Sequence, residues 1–251
     1  MDSNYSNNNE VHLAGRITEP RITKLPSGFN VARFSLATNR QFKNSAGKFE
    51  EDTTWHNVTL WLKENDARIE KLRKGVFIDV SGAYRNTKYT TFDGEEKTLT
   101  TINCNLLNNI IEKNEKNDEK IDNVNDFNLV GNICRDAVVH ELEDGNRILN
   151  YSVAVNEKFK KAGRDYVETT FINCKTFLNK DKAEESQNFK KGAFIRVNGY
   201  QKNGQYVTQA GEMKYTTSIV TREAVFMKKK QGNKQENESA PKNKKKSGQK
   251  I

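Results

Sequence analysis

Trp55 and Trp61 close the two ends of the stretch Trp55-His56-Asn57-Val58-Thr59-Leu60-Trp61. Phe171 and Phe177 do the same for Phe171-Ile172-Asn173-Cys174-Lys175-Thr176-Phe177. In both stretches the rings are six residues apart and an Asn follows two after the first. An even spacing puts both rings on one side of a β-strand. Asn57 and Thr59 share that side in the first stretch, Asn173 and Lys175 in the second. Val58, Leu60 and Leu62 occupy the opposite side, as do Ile172, Cys174 and Leu178. The aliphatic side is the natural core face, so the rings fall on the polar face. Large rings there form a surface on which something flat can stack.

Other chemistry is sparse. The three histidines, His12, His56 and His140, are scattered. There is no phosphate-cradling Gly loop, no metal-ligand spacing and no nucleophile elbow. This argues against an enzyme, and no cofactor or metal site is expected. His56 has Ile172 at the matching position, which points to a core or interface residue. Cys104, Cys134 and Cys174 are odd in number and far apart. They read as buried thiols in a reducing cytoplasm, not as a disulfide framework.

The elements that must position the rings repeat as well. Gly15 matches Gly131, Gly28 Gly145, Phe34 Tyr151, Asn39 Asn156, Phe42 Phe159, Gly47 Gly163, Gly75 Gly192, Gly82 Gly199 and Tyr89 Tyr206, all at a separation of 116 or 117. A near-constant offset of that size means two copies of a domain, not a solenoid. The expected layout is a disordered start over 1–9, a first domain over 10–111, a charged, Asn-rich linker over 112–125, a second domain over 126–227 and a disordered Lys-rich tail over 228–251. Within the first copy, alternation predicts strands at Val11–Arg16, Val31–Asn39, Trp55–Leu62, Val76–Tyr89 and Thr98–Leu106, with a turn at Phe92-Asp93-Gly94. A short helix is expected at Asn65–Lys74, ended by Gly75, and a weaker one at Asp181–Lys191, ended by Gly192. Such a set fits two tandem Greek-key barrels of the OB type, all-β apart from one short helix per domain.

The chain carries a net charge of +9. Residues 228–251 hold nine Lys and two Glu, leaving only about +2 for the rest. Basicity is therefore concentrated in the tail. No apolar run approaches the roughly 18 residues of a membrane span, so no membrane contact is expected. The first residues lack the apolar stretch of a signal peptide, which favours a cytoplasmic, nucleoid-associated location.

The first copy resembles bacterial single-stranded DNA-binding proteins of the SSB type. The residues that carry this are Asn9-Glu10-Val11-His12-Leu13-Ala14-Gly15-Arg16, Val31-Ala32-Arg33-Phe34-Ser35-Leu36-Ala37-Thr38-Asn39, Thr54-Trp55-His56-Asn57-Val58, Leu72-Arg73-Lys74-Gly75 and Val80-Ser81-Gly82. The second copy, more diverged, keeps Asn128-Leu129-Val130-Gly131-Asn132, Tyr151-Ser152-Val153-Ala154-Val155-Asn156, Phe171-Ile172-Asn173-Cys174, Lys190-Lys191-Gly192 and Val197-Asn198-Gly199. The resemblance implies single-stranded DNA wrapped over aromatic platforms at Phe42, Trp55, Trp61 and Tyr89, then Phe159, Phe171, Phe177 and Tyr206. For the phosphates the candidate cations are Arg40, Lys43, Arg85 and Lys88, then Lys158, Lys160, Lys161, Lys175 and Lys202. Stacking tolerates any base, so binding without sequence specificity is expected, and RNA is a second candidate ligand. Against the family's usual single domain and tetramer, two domains per chain imply a homodimer with four barrels. The family's acidic, partner-recruiting tip is replaced here by Lys244-Lys245-Lys246-Ser247-Gly248-Gln249-Lys250-Ile251, which puts such recruitment in doubt. The rival function is a protein-interaction factor in replication or mobile-element transfer with weak affinity for nucleic acid.

Overall fold

The computed structural model describes residues 7–44, 46–112, 122–161, 163–208 and 211–227. Each repeat forms six strands. The first holds β1 (Asn8–Ile17), β2 (Arg21–Leu25), β3 (Phe29–Lys43), β4 (Phe49–Lys63), β5 (Phe77–Thr90) and β6 (Glu96–Ile111). The second holds β7 (Val124–Ile133), β8 (Val138–Glu141), β9 (Arg147–Lys161), β10 (Arg164–Leu178), β11 (Phe194–Val207) and β12 (Met213–Met227). The tandem barrels are as the alternation predicted, and the strands run further than expected because β3–β4 and β5–β6 continue as long hairpins. The short edge strands β2 and β8 are not among the predicted strands. Their residues are mostly exposed, so little apolar alternation marks them.

Strand β1 already begins at Asn8, which corrects the expectation of disorder through residue 9. Asn9 is buried, its amide bonded both ways to the main chain of Tyr84. The second domain likewise starts at Val124, two residues earlier than expected. The Lys-rich tail and residues 113–121 of the expected linker lie outside the described residues. Both helices are shorter than expected and are 3₁₀ turns, Ala67–Lys71 and Lys180–Asn188. Three residues per turn bring Ile69 and Leu72 to the same side, where both pack on the barrel.

Each sheet closes on itself by a bent first strand. β1 pairs with β5 over Val11–Arg16 and with β3 through Arg16 and Ile17. β7 repeats this with β11 and β9. The bend needs Gly15 and Gly131. A Cβ on Gly15 would lie 2.1 Å from the carbonyl oxygen of Ala37, and one on Gly131 2.3 Å from that of Ala154. This is the physical origin of one glycine match between the repeats.

The two barrels are not beads on a string. β1 and β7 pair antiparallel over seven residues, Asn8↔Val130 to Ala14↔Val124. All twelve strands thereby join one sheet, and the two interiors form one continuous apolar cluster. Val58, Leu60 and Leu62 face that core, as do Ile172, Cys174 and Leu178, in agreement with the strand parity. Cys104 and Cys174 are buried as expected. Cys134 is a correction: it sits just past the end of β7 and is only half-buried.

Candidate nucleic-acid interface

Seven of the eight ring positions are exposed. Trp55, Trp61, Phe171 and Phe177 stand off the outer face of β4 and β10 at 51%, 38%, 56% and 56% exposure. In β10 their exposure alternates with the burial of the aliphatics between them; in β4 it does so except at Thr59, which is buried between Val58 and Leu60, so the rings of both strands lie on the face opposite the core. Tyr89 and Tyr206 project from the β5–β6 and β11–β12 hairpins, and Phe159 from the β9–β10 hairpin; all three are exposed. Phe42 is half-buried. It lies on the β3–β4 hairpin with the Arg40 guanidinium 5.5 Å from its ring centroid.

Further exposed rings escaped the sequence reading. Tyr166 lies opposite Phe159 in register and stacks on it, centroids 5.7 Å apart and planes within 16°. Phe49, Phe92 and Tyr215 are more exposed still. Phe92 and Tyr215 have no aromatic at the matching position of the other repeat, and matching was the signal that found the rest. The cross-strand register of a hairpin, worked out from its Gly163 tip, would have exposed the Tyr166 pairing.

The candidate cations fall into two groups. Lys43, Lys88, Lys158 and Lys160 point to solvent, Arg40 is exposed beside Phe42, and Lys175 is half-buried on the face that carries Phe171 and Phe177. Lys43 lies over the ring of Phe49, and Lys160 is 4.0 Å from Asp165. The side chain of Lys161 is outside the described residues. Arg85 is different. It is paired with Glu157 of the other domain and lies 3.8 Å from Glu168, so two carboxylates already meet its charge. Lys202 makes the counterpart contact in the opposite direction, 3.1 Å from Asp52. Arg40 also bridges the domains, its guanidinium 4.5 Å from the ring centroid of Tyr200.

His56 lies at the centre of this boundary and is fully buried. Its Nε2 is 2.9 Å from the Thr38 hydroxyl, and its ring stacks on Phe127 of the second domain at 6.4 Å. Among the described residues, Nδ1 of His56 and Oε1 of Gln201 are both buried and meet no hydrogen-bond partner. Burial lowers the His56 pKa to about 4, so the imidazole is neutral at pH 7. This agrees with its reading as a core and interface residue.

Two OB barrels fused through their first strands, each with a strip of rings facing solvent, define a tandem OB-fold protein. The chain belongs to the single-strand binding protein family, whose model matches residues 8–110 and again 124–227. It is 32% identical over 108 residues to a single-stranded DNA-binding protein of Neisseria meningitidis, a match spanning 43% of this chain and 62% of that protein. A single-stranded DNA-binding protein of Thermus aquaticus is 23% identical over 219 residues, covering 84% of this chain and 81% of the relative. The crystal structure of the wild-type Thermus aquaticus protein superimposes with a TM-score of 0.67 at 21% identity, over 90% of this chain and 95% of that one. That likeness extends the two-barrel fold across both repeats.

Proposed function

We propose that the protein binds single-stranded DNA largely without sequence specificity, by stacking bases on Trp55, Trp61, Tyr89, Phe159, Phe171, Phe177 and Tyr206, with Phe42 at the edge of the strip. The observation that carries this reading is the exposure of matched rings in both repeats. Each repeat leaves three or more large apolar groups exposed to water at the same positions, an arrangement that costs solvation. Stacking on an aromatic is worth roughly 1–3 kcal/mol per base. A duplex hides its base faces, so the rings favour the unpaired strand.

The exposed lysines, chiefly Lys43, Lys88, Lys158 and Lys160, supply phosphate contacts and salt sensitivity. Arg85 serves the domain boundary instead. Two chains then form a homodimer presenting four barrels, and the complex protects or organises the strand during replication, recombination or repair.

Titration with oligo(dT) of graded length, read by quenching of Trp55 and Trp61 together with mass measurement, tests the reading. Strong quenching with a fixed stoichiometry per dimer is expected. Unchanged fluorescence at low salt would remove it and favour the protein-interaction role. Parallel titration with oligo(rU) ranks RNA against DNA.

A further inference from the structure

Trp55 and Phe171 share a feature beyond being rings. β4 meets β6 only from Val58 to Leu60, and β10 meets β12 only at Cys174 and Lys175. Both rings therefore lie beyond the stretch where their strand is laddered on that edge. The main-chain carbonyls at these two residues accept hydrogen bonds from the opposite domain. Asn203 Nδ2 donates to the Trp55 carbonyl at 2.9 Å and Gln201 Nε2 at 3.1 Å. Asn86 Nδ2 donates to the Phe171 carbonyl at 2.6 Å. Asn86 and Asn203 occupy matching positions in the repeats, as do Trp55 and Phe171. One contact is thus made twice, in reciprocal directions, across sequences that otherwise differ.

The amides cannot turn away freely. Gln201 Nε2 also donates to Asn203 Oδ1 at 3.2 Å, and the Thr100 hydroxyl donates to Asn86 Oδ1 at 3.2 Å. An amide whose oxygen is already accepting presents its nitrogen on the other side, here toward the carbonyl. The flanking ion pairs Lys202–Asp52 and Arg85–Glu168 are also matched between repeats and tie the same strands together.

A ring half in water is held by packing on one side only. Its direction follows from the main chain at its own Cα, and that is where these amides act. On the reading of the rings as base platforms, we infer that Asn203 and Asn86 are positioning residues, each holding the first platform of the opposite domain from across the boundary, so that neither domain alone carries a competent platform. The two platforms are held unequally. Trp55 has two donors, whereas Tyr84 stands at the position matching Gln201 and leaves Phe171 with one. The second platform is therefore the looser of the two.

The chain has two tryptophans, both in the first domain, so substitutions in the second domain can be read from the first. Full-length W61F leaves Trp55 as sole reporter, and full-length W55F leaves Trp61. In W61F, Asn203→Leu keeps the volume and removes the donor. It should weaken capture of short oligo(dT) about 5-fold, the scale of one net hydrogen bond, and reduce the saturated quenching of Trp55. Asn203→Gln should recover part of both, and the Trp61 reporter should change far less. Unchanged affinity and quenching in Asn203→Leu would overturn the inference. So would equal losses at both reporters with a lowered thermal midpoint, which would mark a general structural role. Absence of quenching in the otherwise unsubstituted W61F chain is a distinct result: it removes the platform reading, and the inference with it.

Discussion

Val11 of β1 lies directly opposite Phe127 of β7, and the two residues occupy the same position in the two repeats. A pseudo-two-fold axis therefore passes through this pair. The flanking pairs exchange roles across it, Asn9 opposite Leu129 and Leu13 opposite Asn125. Further out, the Asn9 amide holds the main chain of Tyr84, and the Asn125 amide holds that of Gln201 in the same way. At the axis itself the symmetry breaks. Phe127 fills the space that Val11 leaves, against His56 and, edge-on at 6.2 Å, Tyr84.

Phe127 is accordingly the anchor of the boundary. Phe127→Ala opens a cavity between the two interiors and should cost about 3–5 kcal/mol in urea unfolding. Val11→Ala at the same axis removes less and should cost less.

His56 gives stability a specific acid dependence. Its pKa falls from 6.5 to about 4 on burial, so between those values the unfolded chain binds a proton that the native chain does not. Stability attributable to this group is level above pH 6.5, declines as pH falls toward 4, and is lower by about 3 kcal/mol below that. His56→Ile copies the residue of the second repeat, Ile172, and should flatten this part of the curve. Urea melts at half-unit steps between pH 7 and pH 4 measure it.

Exposed rings and cations should separate affinity from stability. Phe177→Ala should weaken DNA binding by about 1–3 kcal/mol with a far smaller effect on the thermal midpoint, since more than half of the residue is exposed. Lys88→Ala should lower the log–log salt slope by about 0.7, the share of one phosphate on a single strand. Arg85→Ala should leave that slope unchanged and destabilise the protein, because its partners are Glu157 and Glu168.

The cysteines should report burial. Desolvation raises the Cys104 thiol to about 12 and pushes Cys174 up as well, and neither is open to reagent. At pH 8 an alkylating reagent should reach only Cys134 in the native protein, and all three thiols in denaturant. Mass spectrometry of the labelled peptides counts them.

Gly15→Ala should be disproportionately harmful for one added methyl. The new Cβ meets the Ala37 carbonyl and Leu36 where β1 bends between two partners. A loss of at least about 1–3 kcal/mol is expected by calorimetry.

Much of this was legible in the chain. Period-two alternation put Val58, Leu60 and Leu62 inside and Trp55 and Trp61 outside, and the recurrence of rings and glycines at one offset gave two barrels. Strand β2 and the early start of β1 were not legible. Arg21–Leu25 carries little apolar signal, and Asn8 and Asn9 become ordered only because β7 and Tyr84 come to meet them. Arg85 shows the same limit: by composition it is a cation beside a ring strip, and only the approach of Glu157 from the other repeat commits it elsewhere.

The sequence by itself determined the fold of each repeat, the faces of its strands and the rings that stand in water, because these follow from side-chain periodicity, which is local along the chain. The tertiary structure alone decided that β1 lies against β7, that His56 is sealed beneath Phe127, and that Asn203 and Asn86 reach the platforms of the opposite domain. Those contacts join residues more than 70 positions apart through main-chain carbonyls and shared volume. Carbonyls are identical in every residue and volume is shared only after folding, so neither leaves a mark in the order of side chains.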